Sequence, residues 1–517
     1  MSVPTAQGTA TWTNWVGNQT FTCSRIERPA SEDAVRALVA SAGADDSGIR
    51  VAASGHSFTP VVQTDGVLLD LSALSGLVRV DTAERRVVAR AGTPIKAFGD
   101  ALWDAGLALA NQGDIDTQGI AGAVATATHG SGLDLQSFSA TVCRVRLVTA
   151  DGDVLEIGEA DERLPAAQVA LGMLGVITEV ELQAVPAHRL AERIEHWTWE
   201  EAWGRLDEMS REHRHYSFFW IPAAESAALY GLETPQGATL TDTCYVKIYD
   251  EAGDSVPDSD EPDRRVDRSY RIYPTTFEPN FHELEYFVPY DLGADALAAM
   301  RELMLARLPD SIFPLEVRTV AADESWLSHS YERPSVVLSV SGMPGTDYEP
   351  YLRDVDRLLG EFDARVHWGK LHYLTREQLH ARYPRAVDFV ALRRELDPRG
   401  VFLNDHLREL FALPAAGTIK RVEFYGYELT TRTAPMSCPR AGCSTPSTAR
   451  SSASSPPTAW PATARSAQWG ATCRRSRRAR GPRCGRSTWW PIRAGYKARD
   501  VAGQGGNHPA GRSAAFA

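Results

Sequence analysis

No apolar run in the sequence approaches the roughly 18 residues that a membrane-spanning helix requires, so no integral membrane segment is expected. The first residues, Met1-Ser-Val-Pro-Thr-Ala-Gln-Gly, lack both the basic start and the apolar middle of a secretion signal, and a cytoplasmic location is expected. Cysteine is sparse. Cys23, Cys143 and Cys244 lie far apart, which excludes a disulfide framework and fits a reducing compartment. Cys438, Cys443, Cys473 and Cys484 show no paired C-x2-C spacing, and no metal site is expected. Positive charge is also scarce before the tail. Of 54 Lys and Arg, 15 lie from residue 430 onward, against one of 66 acidic residues, which leaves the preceding chain near −26. Such an acidic body excludes nucleic acid as a partner of the globular part.

The tail is also nearly devoid of Leu, Ile, Val and Phe, and cannot bury enough apolar surface to offset the entropy of ordering it. It reads as a disordered extension. The competing reading, a basic arm for nucleic acid, lacks any regular spacing of its arginines.

Two segments stand out from the remaining chain. Arg50-Val-Ala-Ala-Ser-Gly-His56-Ser-Phe58 is a strand-like run that breaks into small residues: Ala53, Ser54, Gly55, His56 and Ser57. Gly55 removes a Cβ beside His56, and the serines add hydroxyls next to free backbone N–H groups, the makings of an anion-holding nest. Gly122-Ala-Val-Ala-Thr-Ala-Thr-His-Gly-Ser-Gly132 repeats the logic. On spacing alone such turns are more often ordinary loops; together they suggest a diphosphate held between two segments.

Around them the pattern alternates. Ser31 caps a helix that carries acids in its first turn. Strands are expected at 48–53, 67–71, 77–81 and 86–91, a helix from Pro94, and a hairpin over 145–157 that turns at Asp151-Gly152. A short helix near 164–171 leads through Gly172 and Gly175 into a strand containing Ile177, read either as a close backbone approach or as a simple turn. Residues 250–268, acidic and punctuated by proline, read as a surface loop. Residues 371–413 return to helical patterning.

The Gly-His-Ser turn and the Gly-Ala-x-x-Thr-x-Thr-His-Gly-Ser-Gly segment together resemble the aldonolactone oxidase and alditol oxidase branch of the vanillyl-alcohol-oxidase flavoproteins, from about Trp12 to about Leu413. The resemblance implies an α+β fold with an FAD-binding domain (1–187), a substrate domain on an antiparallel sheet (188–370), a helical element returning to the FAD domain (371–417) and a tail (418–517). It implies FAD as cofactor, bonded through the ring of His56. Residues 53–57 form one side of its site; Gly119, Gly122, Thr126, Thr128, His129, Gly130 and Ser131 form another. Gly175, Ile177, His367 and Asn404 complete it. One departure is visible: Gly119 falls where some alditol oxidases carry a serine.

Leu315-Glu-Val-Arg-Thr-Val320 alternates as a strand and places Glu316 and Arg318 on one face. Such a pair is usually an exposed ion pair, but these apolar flanks suggest burial beside a ligand. By the resemblance, Glu316 binds substrate hydroxyls and Arg318 places positive charge near flavin and sugar. A lysine after glycine is usually a solvated loop residue, but Val366-His-Trp-Gly-Lys370 resembles the family's His-Trp-x-Lys signature, which implies that Lys370 orients the reacting hydroxyl with a share in accepting its proton. Ser339 and Ser341 line the pocket, and Glu283 and Glu285 have no assigned role.

These groups suit a small polyhydroxylated substrate, each of whose hydroxyls needs a partner once buried. The expected reaction is oxidation of an aldono-1,4-lactone by hydride transfer to flavin N5, with O2 or another acceptor taking the electrons. An alditol oxidase is the nearest alternative. A lipid-linked ribose dehydrogenase is disfavoured by His56, and a non-catalytic flavin-binding protein by the joint presence of Glu316, Arg318 and Lys370.

Overall fold

The computed structural model describes residues 3–4, 8–44, 48–232, 240–275, 281–307, 312–412, 421–424 and 427–430. All belong to one compact unit, Met1–Met436. The tail expected to be disordered lies, from residue 431 on, outside the described residues. The paired strands Arg421–Phe424 and Tyr427–Thr430 are the last described elements. A chain ended after Met436 is expected to keep its melting temperature, cofactor content and turnover. Loss of soluble, cofactor-loaded protein on that truncation, measured by thermal melting and absorbance, would show the tail to be structural.

The fold is α+β. Its N-terminal part pairs Arg25–Glu27, Val67–Asp70 and Ile49–Ala52 in a parallel sheet, beside an antiparallel five-stranded sheet. That second sheet runs in the order Val154–Gly158, Val142–Val148, Val176–Gln183, Arg86–Arg90, Leu77–Asp81. Local chemistry builds these elements as expected. Ser31 Oγ accepts from Ala34 N at 3.2 Å at the start of helix Glu32–Ala44. Gly152 supplies the positive φ, +82°, that the hairpin turn requires.

The second part is a nine-stranded antiparallel sheet. Leu315–Val320 lies inside it between His215–Ile221 and Ser335–Gly342, and His282–Pro289 follows beyond. All six residues of Leu315–Val320 are buried, so its charges need a partner or a ligand. Register then decides what they meet. Phe219 stands opposite Glu316, Glu316 opposite Ser339, and Ser339 opposite Glu285. Directly paired residues point to one face of a sheet, so this row presents two carboxylates, a hydroxyl and a ring on the same side.

The expected surface loop over 250–268 is largely sheet. Thr243–Ala252 extends into it, and Ser259–Glu261 pairs with Arg264–Arg268 at the edge of the nine-stranded sheet. Charge there marks an edge strand rather than a loop, with Arg265 pairing the buried Glu192 of the neighbouring strand. The two halves are joined where Gly132 N donates to Thr319 O at 2.8 Å.

Candidate active site

One cavity of about 210 Å³ runs from Arg50 and Gly172, past residues 53–57, to Glu283, Glu285, Glu316, Arg318, His367 and Lys370. The buried strand Ile49–Ala52 opens into its first wall. Gly55 adopts φ +69°, and a Cβ there would lie 2.9 Å from the Trp12 ring. Ser54 Oγ donates to Thr117 O at 2.7 Å, and Nε2 of His56 lies 3.3 Å from Thr117 Oγ1. The His56 ring stacks on Trp15 at 4.7 Å between centroids. Its Nδ1 is buried without a partner among the described residues, and burial pushes the imidazole down to about 4. With the proton on Nε2, directed at Thr117, a neutral ring leaves a bare lone pair on Nδ1. Ser57 is fixed through its carbonyl, which accepts from Asn14 Nδ2 at 3.0 Å, and Phe58 N donates to Gly369 O at 2.7 Å.

The second wall is helix Ile120–Ala125, entered at Gly119. A Cβ on Gly119 would fall 2.6 Å from that of Ala53, so the two walls touch here. A serine at 119 would need that contact to open, which gives the departure from the alditol oxidase pattern a steric reason. Gly122 faces open space, and Thr126, Thr128 and His129 continue the wall. Gly175 (φ +154°) has no room for a Cβ, which would lie 2.6 Å from Val148 O, and Ile177 follows it along the cavity. The backbone approach at Gly175 is thus to the neighbouring strand Val142–Val148.

Several expected site residues lie elsewhere. Gly130 and Ser131 are not among the lining residues. A Cβ on Gly130 would meet Gln112 O at 2.2 Å, while Ser131 O accepts from Asn111 Nδ2 at 3.1 Å and from His215 at 2.8 Å. Their smallness serves packing against these segments. Ser339 and Ser341 sit behind the wall: Ser339 Oγ donates to Glu283, and Ser341 Oγ lies 2.6 Å from Tyr230 Oη. Asn404 caps helix Asp405–Phe411 through Leu407 N and donates to Pro60 O at 2.8 Å, clasping the C-terminal element onto the first wall.

At the far end the structure brings Glu316, Arg318 and Lys370 together around a residue without an expected role. Glu285, fully buried, bonds Arg318 Nη2 through one oxygen, while its other oxygen lies 3.2 Å from Lys370 Nζ. Arg318 Nη2 also lies 3.2 Å from Glu316, and Lys370 Nζ bonds Glu283 at 2.5 Å. Burial would raise Glu285, yet Lys370 and Arg318 hold it well below the usual carboxylate range. Burial does raise Glu316, to about 7, against the pull of Arg318. For Lys370, burial acts downward, but Glu283 and Glu285 keep the ammonium above its ordinary value. His129, Glu285 and His367 offer donor atoms within 4.8 Å of one another. Both Glu285 oxygens already bind cations, Arg318 and Lys370, so this carboxylate is committed to an ion-pair network. Trp15, Asp114, Phe219, Tyr230 and Phe281, none given a site role from the sequence, also line it.

The chemistry of the lining suits a dinucleotide. Arg50 is buried and bonds only carbonyls: Val61 at 2.7 Å, Leu171 at 2.6 Å, Phe402 at 2.5 Å and Gly172 at 3.4 Å. No carboxylate pairs with it among the described residues, a costly state that an anionic ligand in the same cavity would relieve. The bare His56 Nδ1 and the glycine-lined walls suit an aromatic ring system approaching closely.

Comparison with known proteins agrees. Residues 24–158 match the FAD-binding domain family, and residues 240–410 the D-arabinono-1,4-lactone oxidase family. The chain is 36% identical over 422 residues to an L-gulono-1,4-lactone dehydrogenase of Mycobacterium tuberculosis, covering 77% of this chain and 98% of that protein. It is 34% identical over 422 residues to an alditol oxidase of a Streptomyces species, with the same two coverages. A cholesterol oxidase from B. sterolicum shares the fold, with a TM-score of 0.67 at 16% identity over 78% of this chain and 96% of that one. The protein belongs to the FAD-linked family of sugar-lactone and alditol oxidoreductases.

Proposed function

We propose that the protein oxidises an aldono-1,4-lactone of the gulono- or arabinono- type at the hydroxyl-bearing carbon beside the carbonyl. The observation that carries this reading is the convergence of Glu316, Arg318 and Lys370 on one end of the cavity that His56 lines. FAD supplies the two-electron acceptor. The chain's own groups do the rest. Lys370, held protonated by Glu283 and Glu285, donates to substrate oxygen and is a poor proton acceptor. Glu316, at about 7, is the group able to take the hydroxyl proton near neutral pH. Arg318 stabilises negative charge developing on the lactone. Trp15, Phe219, Tyr230 and Phe281 exclude water from that end.

Residues 53–57, 119–129 and 175–177 hold the cofactor, with His56 as its point of attachment. Residues 1–187 form the FAD half, 188–370 the substrate half and 371–417 the returning element. Oxygen or another small acceptor takes the electrons. Cys23, Cys143 and Cys244, buried and unpaired, support a cytoplasmic setting.

The test is anaerobic mixing with a panel of aldono-1,4-lactones and alditols, following loss of flavin absorbance. Bleaching by lactones at the faster rate supports the proposal. Bleaching by xylitol or sorbitol alone would replace it with the alditol reading, which the 34% identity to an alditol oxidase keeps in view. Because Glu316 must be ionised to accept the proton, the bleaching rate should rise as pH increases through about 7. In Glu316→Gln that rise should vanish and the rate should fall; an unchanged profile would remove Glu316 from the proton path.

A further inference from the structure

We propose, resting on the oxidation of a sugar-derived substrate at this site, that the pocket admits only uncharged ligands and excludes the aldonate anion formed when the lactone ring opens in water. The selecting groups are Glu283 and Asp114, acting with Glu285 and Glu316. Every cation at this end is already committed. Arg318 holds Glu285 and Glu316, Lys370 holds Glu283 and Glu285, and Lys247 Nζ pairs with Asp114 at 3.2 Å. Asp114, Glu283 and Glu285 therefore already occupy the three cations, and Glu316 adds a fourth carboxylate charge as it ionises near 7. The charges act on one another across the cavity: Arg318 and Lys370 pull Asp114 down, and Asp114 and Glu283 push Glu316 up.

A hydroxyl fits such a wall because it donates to a carboxylate and accepts from an ammonium or guanidinium at once. A ligand carboxylate only accepts. To bind, it must take a cation away from a buried glutamate, which then stays charged and unpaired. The opposite end of the cavity has the reverse character, since Arg50 is buried there with no carboxylate partner among the described residues. The cavity is thus divided into an end that welcomes an anion and an end that repels one. Lactones open to aldonates at neutral pH, so a substrate pool holds both forms, and the surplus of carboxylates distinguishes them by charge rather than by size.

The experiment uses the flavin-loaded protein and three ligands with one carbon skeleton: D-arabinono-1,4-lactone, D-arabinitol and sodium D-arabinonate. Dissociation constants come from calorimetry and from perturbation of the flavin spectrum. Arabinonate should bind at least about 50-fold more weakly than the better neutral ligand. Glu283→Gln and, independently, Asp114→Asn should each narrow that ratio at least about 5-fold. The two residues lie in separate segments, so a folding defect in one variant leaves the other to decide. Arabinonate binding as tightly as the neutral ligands overturns the proposal, as does a ratio unmoved in both variants, or no binding of either neutral ligand. If arabinitol bleaches the flavin and the lactone does not, the lactone reading fails, while exclusion of arabinonate still stands or falls on the measured ratio.

Discussion

Replacing Arg318 by methionine is expected to slow substrate-driven flavin reduction by about 10²- to 10³-fold, the range set by a loss of roughly 2.7–4 kcal/mol of transition-state stabilisation. The guanidinium is buried, reaches both Glu316 and Glu285, and is the group at this end able to face developing negative charge with fixed, planar donors. The same substitution disturbs the fold, because Glu285 is left buried with Lys370 as its sole remaining cation. Breaking a buried pair from one side costs about 3–5 kcal/mol, so the melting temperature should fall as well. The two effects separate in the pair Arg318→Met with Glu285→Gln. Removing the orphaned charge should restore most of the melting temperature and none of the rate. Stopped-flow reduction beside thermal melting reads both quantities. A double variant that regains stability and also reduces its flavin at the native rate would show that Arg318 serves the fold alone.

That network also shows where sequence reading reaches its limit. The alternation around Glu316 and Arg318 is a local property, and it assigned both to one face of a buried strand. The alternation in His282-Glu-Leu-Glu-Tyr286 is equally plain, and places Glu283 and Glu285 on one face by the same rule. What no local pattern contains is the register of Ser335–Gly342 between the two strands, which sets Glu285 beside Glu316 with Ser339 between them. The role of Glu285 is therefore non-local and became visible only with the sheet. Gly130 and Ser131 show the converse. Their composition is that of a phosphate cradle, but Asn111, Gln112 and His215, from other segments, occupy the space and the carbonyl beside them. Asn404 carried a readable signal that the family resemblance obscured: an asparagine three residues before Leu407 is a helix cap, and it is used as one. The edge hairpin over 259–268 was masked by its charge, which on an edge strand guards against further pairing.

The largest change of all is expected at His56. Acid-precipitated wild-type protein should stay yellow and fluoresce, whereas His56→Ala should release its whole flavin on denaturation. Three features of the ring's surroundings support the proposed attachment. Burial holds the imidazole near 4, so it is neutral throughout the physiological range and its Nδ1 lone pair is free to act as a nucleophile. Thr117 at Nε2 and the stacked Trp15 orient the ring, and the Trp12 ring lies 2.9 Å from where a Cβ on Gly55 would stand. Because the imidazole already lacks its proton, loading of FAD into protein produced without flavin should proceed at the same rate at pH 6 and pH 8. A histidine with its ordinary value near 6.5 would be mostly protonated at the lower pH and would load several-fold more slowly. Trp15→Ala, which removes the stack but keeps the nucleophile, should slow attachment without abolishing it. Wild-type protein that yields all its flavin to acid would remove His56 from this role, and a steep acid limb in the loading rate would show that the ring keeps its ordinary value, contrary to its lowered one.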